Sequence, residues 1–272
     1  ENLEDSEVYY NNLNKKETST QSLRDFHNLY VKRLLISGVT NKGNTLIDMT
    51  VGKGGDFPKW IGSKLSFVFG LDLSRDNIEN RLNGAYARYL NYKKTHGYMP
   101  DALFVNGNSS LNIRSGEACL TDKGKLITRA VFGDGPKDEK KLGKGVFKQY
   151  GVGKNGFDVV SNQFSIHYFF ENIITLNNFL RNVSECCKVG GYFIGASYDG
   201  KLVYDLLKNK ETDSSISILD NEKNKMWEIT KKFENKEDEE LKDDETCVGY
   251  KIEVYQESIN KVFAEYLVNY TY

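Results

Sequence analysis

No run of 18 apolar residues occurs in the 272-residue chain, so no segment has the length of a membrane-spanning helix. The opening residues, ENLEDSEVYY, lack the basic, apolar and small-residue order of a signal peptide. Both absences set the expectation of a soluble, intracellular protein, and the missing initiator Met that of a domain excised from a longer chain. Charge of one sign is lacking too. Lys and Arg total 37 against 38 Asp and Glu, so net charge gives no argument for a nucleic-acid partner, and any basic groove must come from segregation of charge. Only four cysteines are present, Cys119, Cys186, Cys187 and Cys247, with no C-x-x-C and too few histidines nearby to complete a metal site. They are read as reduced and structural, with Cys186 and Cys187 pointing apart on one helix, and no metal is expected. No internal repeat is visible.

What is there is enough to bury one large core: 39% of residues are hydrophobic and 12% aromatic, which suggests a single domain with appendages. Residues 1–17 are polar and expected to be flexible. From Thr18 the chain reads as a helix: Thr18 and Gln21 form a capping box, Leu23, Phe26, Tyr30 and Leu34 recur at helical spacing, and Gly38 stops it. Asn28 and Lys32 fall four apart on a different face of that helix. Strands are expected at TLIDMTV, SFVFGLDLS, DALFVNG, GFDVVSNQF and GGYFIGASYD. Helices are expected near Pro58–Ile61, from Ser74 through Tyr92, and over roughly 171–187. Strands alternating with helices predict a mostly parallel, doubly wound α/β sheet. Residues 109–156, rich in Gly and Lys, interrupt the rhythm and read as a long insertion between the third and fourth strands. Beyond residue 210 the chain is polar, with the acidic ENKEDEELKDDE read as a solvated loop before the strand-like GYKIEVYQ.

The stretch TLIDMTVGKGGDFPKW, residues 45–60, carries the first functional signal. A Gly-rich turn at a strand's carboxyl end, opening a helix, lets a ligand approach the backbone. A P-loop needs G-x-x-x-x-G-K-[ST], which Lys53 does not complete, so nucleotide hydrolysis is disfavoured. A dinucleotide fingerprint needs a glycine where this chain has Phe57. What remains is D-x-x-x-G-x-G-G-D followed by Asp72 at the end of the next strand, placed to hold a ribose diol. That combination resembles the S-adenosylmethionine site of class I methyltransferases.

GKGGDFPKW together with SNQFSIHYFFEN resembles the mRNA cap guanine-N7 methyltransferase family, as do LRDFHNLYVKRLLI and AEYLV, in the family's order over about residues 20–270. The long insertion and GGYFIGASYDGKLVYDLL look most like the capping enzymes of large DNA viruses. The resemblance implies a Rossmann-like class I fold with S-adenosylmethionine as methyl donor and S-adenosylhomocysteine as product. It implies donor-site roles for Asn28, Lys32, Asp48, Gly52, Gly54, Asp56, Asp72, Asn108, Ser109 and Gln163, and cap-site roles for Phe164, His167, Tyr168 and Glu265. Three departures stand out: Asn108 and Ser109 where the family has Asp near adenine, Ala264 in place of Pro before Glu265, and an expected final helix and strand that lie outside residues 18–272. The implied partner is capped RNA, with guanylyltransferase and triphosphatase modules in the same polypeptide. The implied location is the cytoplasm of an infected cell or the virion.

The chemistry needs no acid, base or nucleophile, because guanine N7 carries a lone pair and no proton at neutral pH. Proximity and orientation are left to carry the rate. The expected pH–rate profile of the chemical step is therefore flat. His167 and Tyr168 are read as ending a strand and facing the site. Two rivals stay open: a class I methyltransferase acting on a small molecule, and a catalytically silent cap- or RNA-binding module of the same fold.

Overall fold

A computed structural model of the chain describes residues 19–234 and 240–272. The capping residue Thr18, the 1–17 segment and part of the acidic stretch lie outside them. The described residues group into two compact units. One comprises residues 31–163 and 177–195; the other comprises 19–30, 164–176 and the described residues from 196 on.

The first unit is built on strands β1 (Thr45–Asp48), β2 (Phe67–Asp72), β3 (Asp101–Asn106), β4 (Phe157–Gln163) and β5 (Cys187–Ala196), ordered β3-β2-β1-β4-β5. β1 pairs in parallel with β2 and β4, and β2 with β3. Parallel neighbours need crossovers, and helices covering both faces bury the strands, which is why Leu46–Ile47 and FVFGL are continuous apolar runs. Leu46, Val68, Phe69 and Val159 are fully buried. The crossovers are α3 (Phe57–Gly62), then α4 (Arg75–Glu79) with α5 (Ala85–Thr95), then α6 (Asp122–Phe132) with α7 (Glu139–Lys148), and finally α8 (Ile173–Cys186).

Several expectations need correction. The N-terminal helix is broken into α1 (Gln21–Asp25), a π-helical turn Phe26–Val31 and α2 (Lys32–Val39), so Gly38 lies inside a helix rather than ending one. Its apolar stripe does not face the core: Leu23, Phe26, Tyr30 and Leu34 are exposed, and Ile36 is the buried side chain of α2. The helix from Ser74 is two helices. Ser74 caps α4 by accepting from Asn77 N–H, but Asn80 Oδ1 then accepts the N–H groups of Leu82 and Asn83, an alternative to the helical ladder that ends it. Residues 109–156 are more than a loop, since they contain the crossover that β3 and β4 require: Thr121 caps α6, left-handed Gly133 ends it, and Asp138 caps α7. Cys186 ends α8 and Cys187 opens β5, so the two thiols lie on different elements.

The second unit has its own core, which composition beyond residue 210 does not announce. Strands β6 (Ser215–Leu219), β7 (Lys225–Lys231), β8 (Lys251–Gln256) and β9 (Lys261–Tyr266) form an antiparallel meander. One face packs with α9 (Gly200–Leu207), which Asp199 caps. The rings of Tyr204, Phe233 and Tyr250 meet at 5.2–5.8 Å. Buried Lys231 donates to the carbonyls of Lys208 and Lys210 just beyond α9. From the acidic stretch, exposed Asp243 pairs with Lys201 and accepts from Asn269, so that residue is solvated as expected but held in place.

Candidate active site

In the first unit the strand order reverses at β1, and ligands in open α/β sheets bind outside the carboxyl ends of strands at such a switch point. Asp48 ends β1, Asp72 ends β2, Asn106 ends β3 and Gln163 ends β4. The glycine loop leaves β1 with Gly52 at φ +54° and Gly54 at φ +74°. A Cβ on Gly54 would fall 2.1 Å from the fully buried Phe57 ring, so glycine is required there by conformation and by space. Phe57 thus supports the loop from below.

Asp72 holds the loop from the side. Its Oδ2 accepts Gly52 N–H at 2.7 Å, and its Oδ1 accepts Ser74 N–H and the Asn77 amide, each at 2.9 Å. Burial still raises its pKa against these three bonds. Asp48 is 3% exposed, and burial, with the Asp56 charge, pushes its carboxyl up to about 7. Asp56 is ion-paired on both sides, with Lys59 at 2.7 Å and Lys32 at 3.5 Å. Lys53 turns away to Asp76 at 2.9 Å, and Arg88 donates to its carbonyl. The result is a wall of three carboxylates, one of them neutralised by two lysines, under a loop with a left-handed backbone. It suits a ligand bearing positive charge and hydroxyl donors.

Of the other expected donor residues, Ser109 is buried, its hydroxyl donating to Met49 O at 2.6 Å, which ties the end of β3 to the end of β1. Asn108 Oδ1 accepts Ser110 N–H in a local turn. Buried Gln163 donates to Ser161 Oγ. Lys32 joins the cluster through Asp56, whereas Asn28 belongs to the second unit.

The second unit brings Phe164, His167, Tyr168 and Glu265 into one compact body. β4 stops at Gln163, and His167 and Tyr168 ride a 3₁₀ turn, Ile166–Glu171, rather than a strand end. The turn begins after Phe164, which takes φ +57°, donates its N–H to Ala196 O and meets the His27 ring at 4.8 Å. Glu265 sits inside β9, opposite Ile252. His167 Nδ1 lies 3.7 Å from Glu265 Oε2, too far for a hydrogen bond. Glu265 Oε2 and His167 Nε2 are buried without a hydrogen-bond partner among the described residues. Burial drives the imidazole down to about 3 and the carboxyl up to about 7, so the pair is neutral below neutrality. A buried carboxylate without donors costs stability unless a ligand supplies them.

A family model for the mRNA (guanine-N(7))-methyltransferase domain matches residues 130–272, which include the turn and Glu265. The chain belongs to that family. It is 29% identical over 259 residues to a probable mRNA-capping enzyme of Acanthamoeba polyphaga mimivirus, covering 93% of this chain and 20% of that protein. It is 28% identical over 181 residues to the mRNA cap guanine-N(7) methyltransferase of Saccharomyces cerevisiae, covering 66% of this chain and 33% of the relative. The chain thus spans a fifth to a third of these relatives' lengths. Among solved structures, the CcbJ methyltransferase of Streptomyces caelestis matches with a TM-score of 0.45 at 12% identity, covering 90% of this chain and 72% of that one.

Several residues that shape this guanine-N7 methyltransferase-family domain escaped the sequence reading. Lys59 neutralises Asp56 from three residues on and Asn77 orients Asp72 from five residues on, yet each is an ordinary polar residue in the sequence. Tyr198 is the clearest omission. Its hydroxyl accepts from Trp227 Nε1 at 3.1 Å and from Gln256 Nε2 at 2.5 Å, and its phenol feels the charge of Glu265. Three distant segments make that cluster, so no spacing reveals it.

The Glu265 carboxyl yields a stability test. Burial raises its folded pKa to about 7, above the 4.5 of a free glutamate, so the folded state holds the proton longer. The burial penalty is therefore absent below about 4.5 and grows until the pH passes about 7, reaching on the order of 3 kcal/mol. In urea unfolding of the ligand-free chain, Glu265→Gln should match its parent near pH 4.5 and exceed it in stability at pH 8.5. A gap independent of pH would contradict the assigned burial.

Proposed function

We propose that this chain transfers a methyl group from S-adenosylmethionine to N7 of the guanine in a GpppN RNA cap, as the methyltransferase domain of a viral mRNA-capping protein. The buried Glu265 carboxylate beside a neutral His167 carries the reading. Guanine's Watson–Crick edge presents two adjacent donors, the ring N–H and the exocyclic amine, which one carboxylate accepts together.

The first unit's residues fit the donor. Asp72 would take the ribose hydroxyls, and Lys32 the donor's carboxylate. Asp48, whose carboxyl is raised by burial and by the Asp56 charge, would ionise beside the ammonium or sulfonium. S-adenosylmethionine supplies an electrophilic methyl on its sulfonium. Because N7 already exposes its lone pair, this chain's residues align the two groups and remove no proton. Asn108 and Ser109 stand where the family has Asp; the Asn amide still offers an acceptor oxygen to adenine. Guanylyltransferase and triphosphatase modules on the same polypeptide would make the substrate, in infected cytoplasm or the virion.

Competition by free GpppG separates this reading from its rivals. GpppG should inhibit methyl transfer to capped RNA and be methylated itself. A small-molecule enzyme would ignore it, and a silent module would bind donor without turnover. The pH dependence adds a second readout. The single-turnover rate at saturating cap should be flat from pH 6.5 to 8.5, while kcat/KM for GpppG should rise through about 7 as Glu265 ionises. A steep saturated rate that follows His167 ionisation and vanishes in His167→Gln would contradict base-free chemistry.

A further inference from the structure

The charge that the chain lacks overall is concentrated in one place. Residues 109–156 hold ten basic and five acidic side chains, a net +5 in a chain whose total is −1, which leaves −6 for the rest. Within this segment Lys137, Lys140, Lys141, Lys144 and Lys148 fall on or beside α7, which is kinked at Gly143 (φ +74°), and all five are exposed. Leu142 is the buried residue of that helix and turns its other side to solvent. Among the described residues, Lys148 alone of the five is in an ion pair, with Asp101 at 2.7 Å. Lys137 lies 5.5 Å from the Tyr150 ring and 5.6 Å from the Phe147 ring, which fixes its stem. Of the two acids at the start of the helix, Asp138 caps it, and Glu139 is exposed and in no ion pair among the described residues.

We infer that this face binds the RNA chain beyond the cap through its phosphates, without reading sequence. The inference rests on the proposed cap-methylating activity for the identity of the polyanion. Exposed lysines on an ordered segment, four of the five without an ion pair among the described residues, offer a phosphate chain counterion release, which is sequence-independent. The rings of Phe147 and Tyr150 are covered by Lys137, so they present no open platform for stacked bases. The position in the fold sets which phosphates are met. Lys148 pairs with Asp101, the first residue of β3, whereas Asp72 and Asn106 lie at the opposite, carboxyl ends of their strands. Five residues of strand separate Asp101 from Asn106, roughly 16 Å, so the face is out of reach of a dinucleotide cap at the donor loop.

The test is the triple variant Lys140→Ala, Lys141→Ala, Lys144→Ala, compared with its parent on GpppG and on a capped 20-nucleotide RNA from 50 to 200 mM salt. Rates on GpppG should be equal for the two proteins. For the RNA, the plot of log kcat/KM against log salt should lose about 2 from its slope, at about 0.7 per phosphate released. That makes the parent's advantage at 50 mM about 20 times its advantage at 200 mM. Fluorescence anisotropy of the same RNA without a cap should show the same loss of slope in affinity, which reads the face even if no methyl is transferred. Equal slopes for parent and variant would overturn the inference, as would a parallel loss on GpppG. No transfer by either protein, with the anisotropy difference intact, would instead strike at the proposed activity and leave the face standing.

Discussion

Glu265→Gln should lower kcat/KM for capped RNA roughly 10- to 200-fold and leave affinity for S-adenosylmethionine unchanged. A good bidentate contact to a base edge is worth about 1–3 kcal/mol of discrimination. Here the contact forms at a carboxylate that is 7% exposed, with Oε2 unmet by any described donor. Methylation adds to that. Positive charge developing on guanine strengthens both ring donors, so a fixed carboxylate binds the transition state better than the substrate. The glutamine keeps the shape, loses the charge and sets an amide donor against a guanine donor. Because the variant should be the more stable protein at pH 8.5, unfolding cannot account for the loss. If the variant and its parent methylate GpppA-RNA and ApppA-RNA in the same ratio, Glu265 does not read guanine.

Asp72→Ala should weaken donor binding roughly 10- to 100-fold, since hydrogen bonds to a charged group are worth about 1.5–3 kcal/mol. The geometry adds a second source of loss. Asp72 also holds Gly52 N–H at 2.7 Å, so the alanine releases the glycine loop as well as the ribose contact. Asp72→Asn separates the two effects. Its amide oxygen can keep one backbone donor and hold the loop, while its charge is gone, so its affinity should fall between parent and alanine. Calorimetry returning the parent's affinity for the folded alanine variant would remove Asp72 from the donor site.

The alternation of apolar runs with helical segments was legible because a parallel sheet buries both faces of its strands, and that buries LID and FVFGL in full view of the composition. The glycine loop was legible for a similar reason, since Gly54 answers a steric demand that no other residue meets. The second unit was legible only at GYKIEVYQ, which forms β8. Its strands are short, half-exposed and amid charged residues, and its core includes a lysine, Lys231, whose ammonium is satisfied by helix-end carbonyls. The break at Asn80 was hidden because a side chain that competes with the helix looks in sequence like any polar helical residue. His167 was assigned to a strand end because FSIHYFF is rich in strand-forming residues, yet the left-handed turn at Phe164 redirects the chain into a 3₁₀ turn. The pairing of His167 with Glu265 joins residues 98 positions apart, and burial alone sets their charge states.

The central claim is that the chain methylates guanine N7 of an RNA cap. Its most direct measurement is to incubate the protein with GpppG-capped RNA and S-adenosylmethionine labelled on the methyl group, digest the RNA to nucleosides and identify the labelled one. The label is expected in 7-methylguanosine released from the cap. Label in any other nucleoside, or none from a protein that binds the donor, would contradict it.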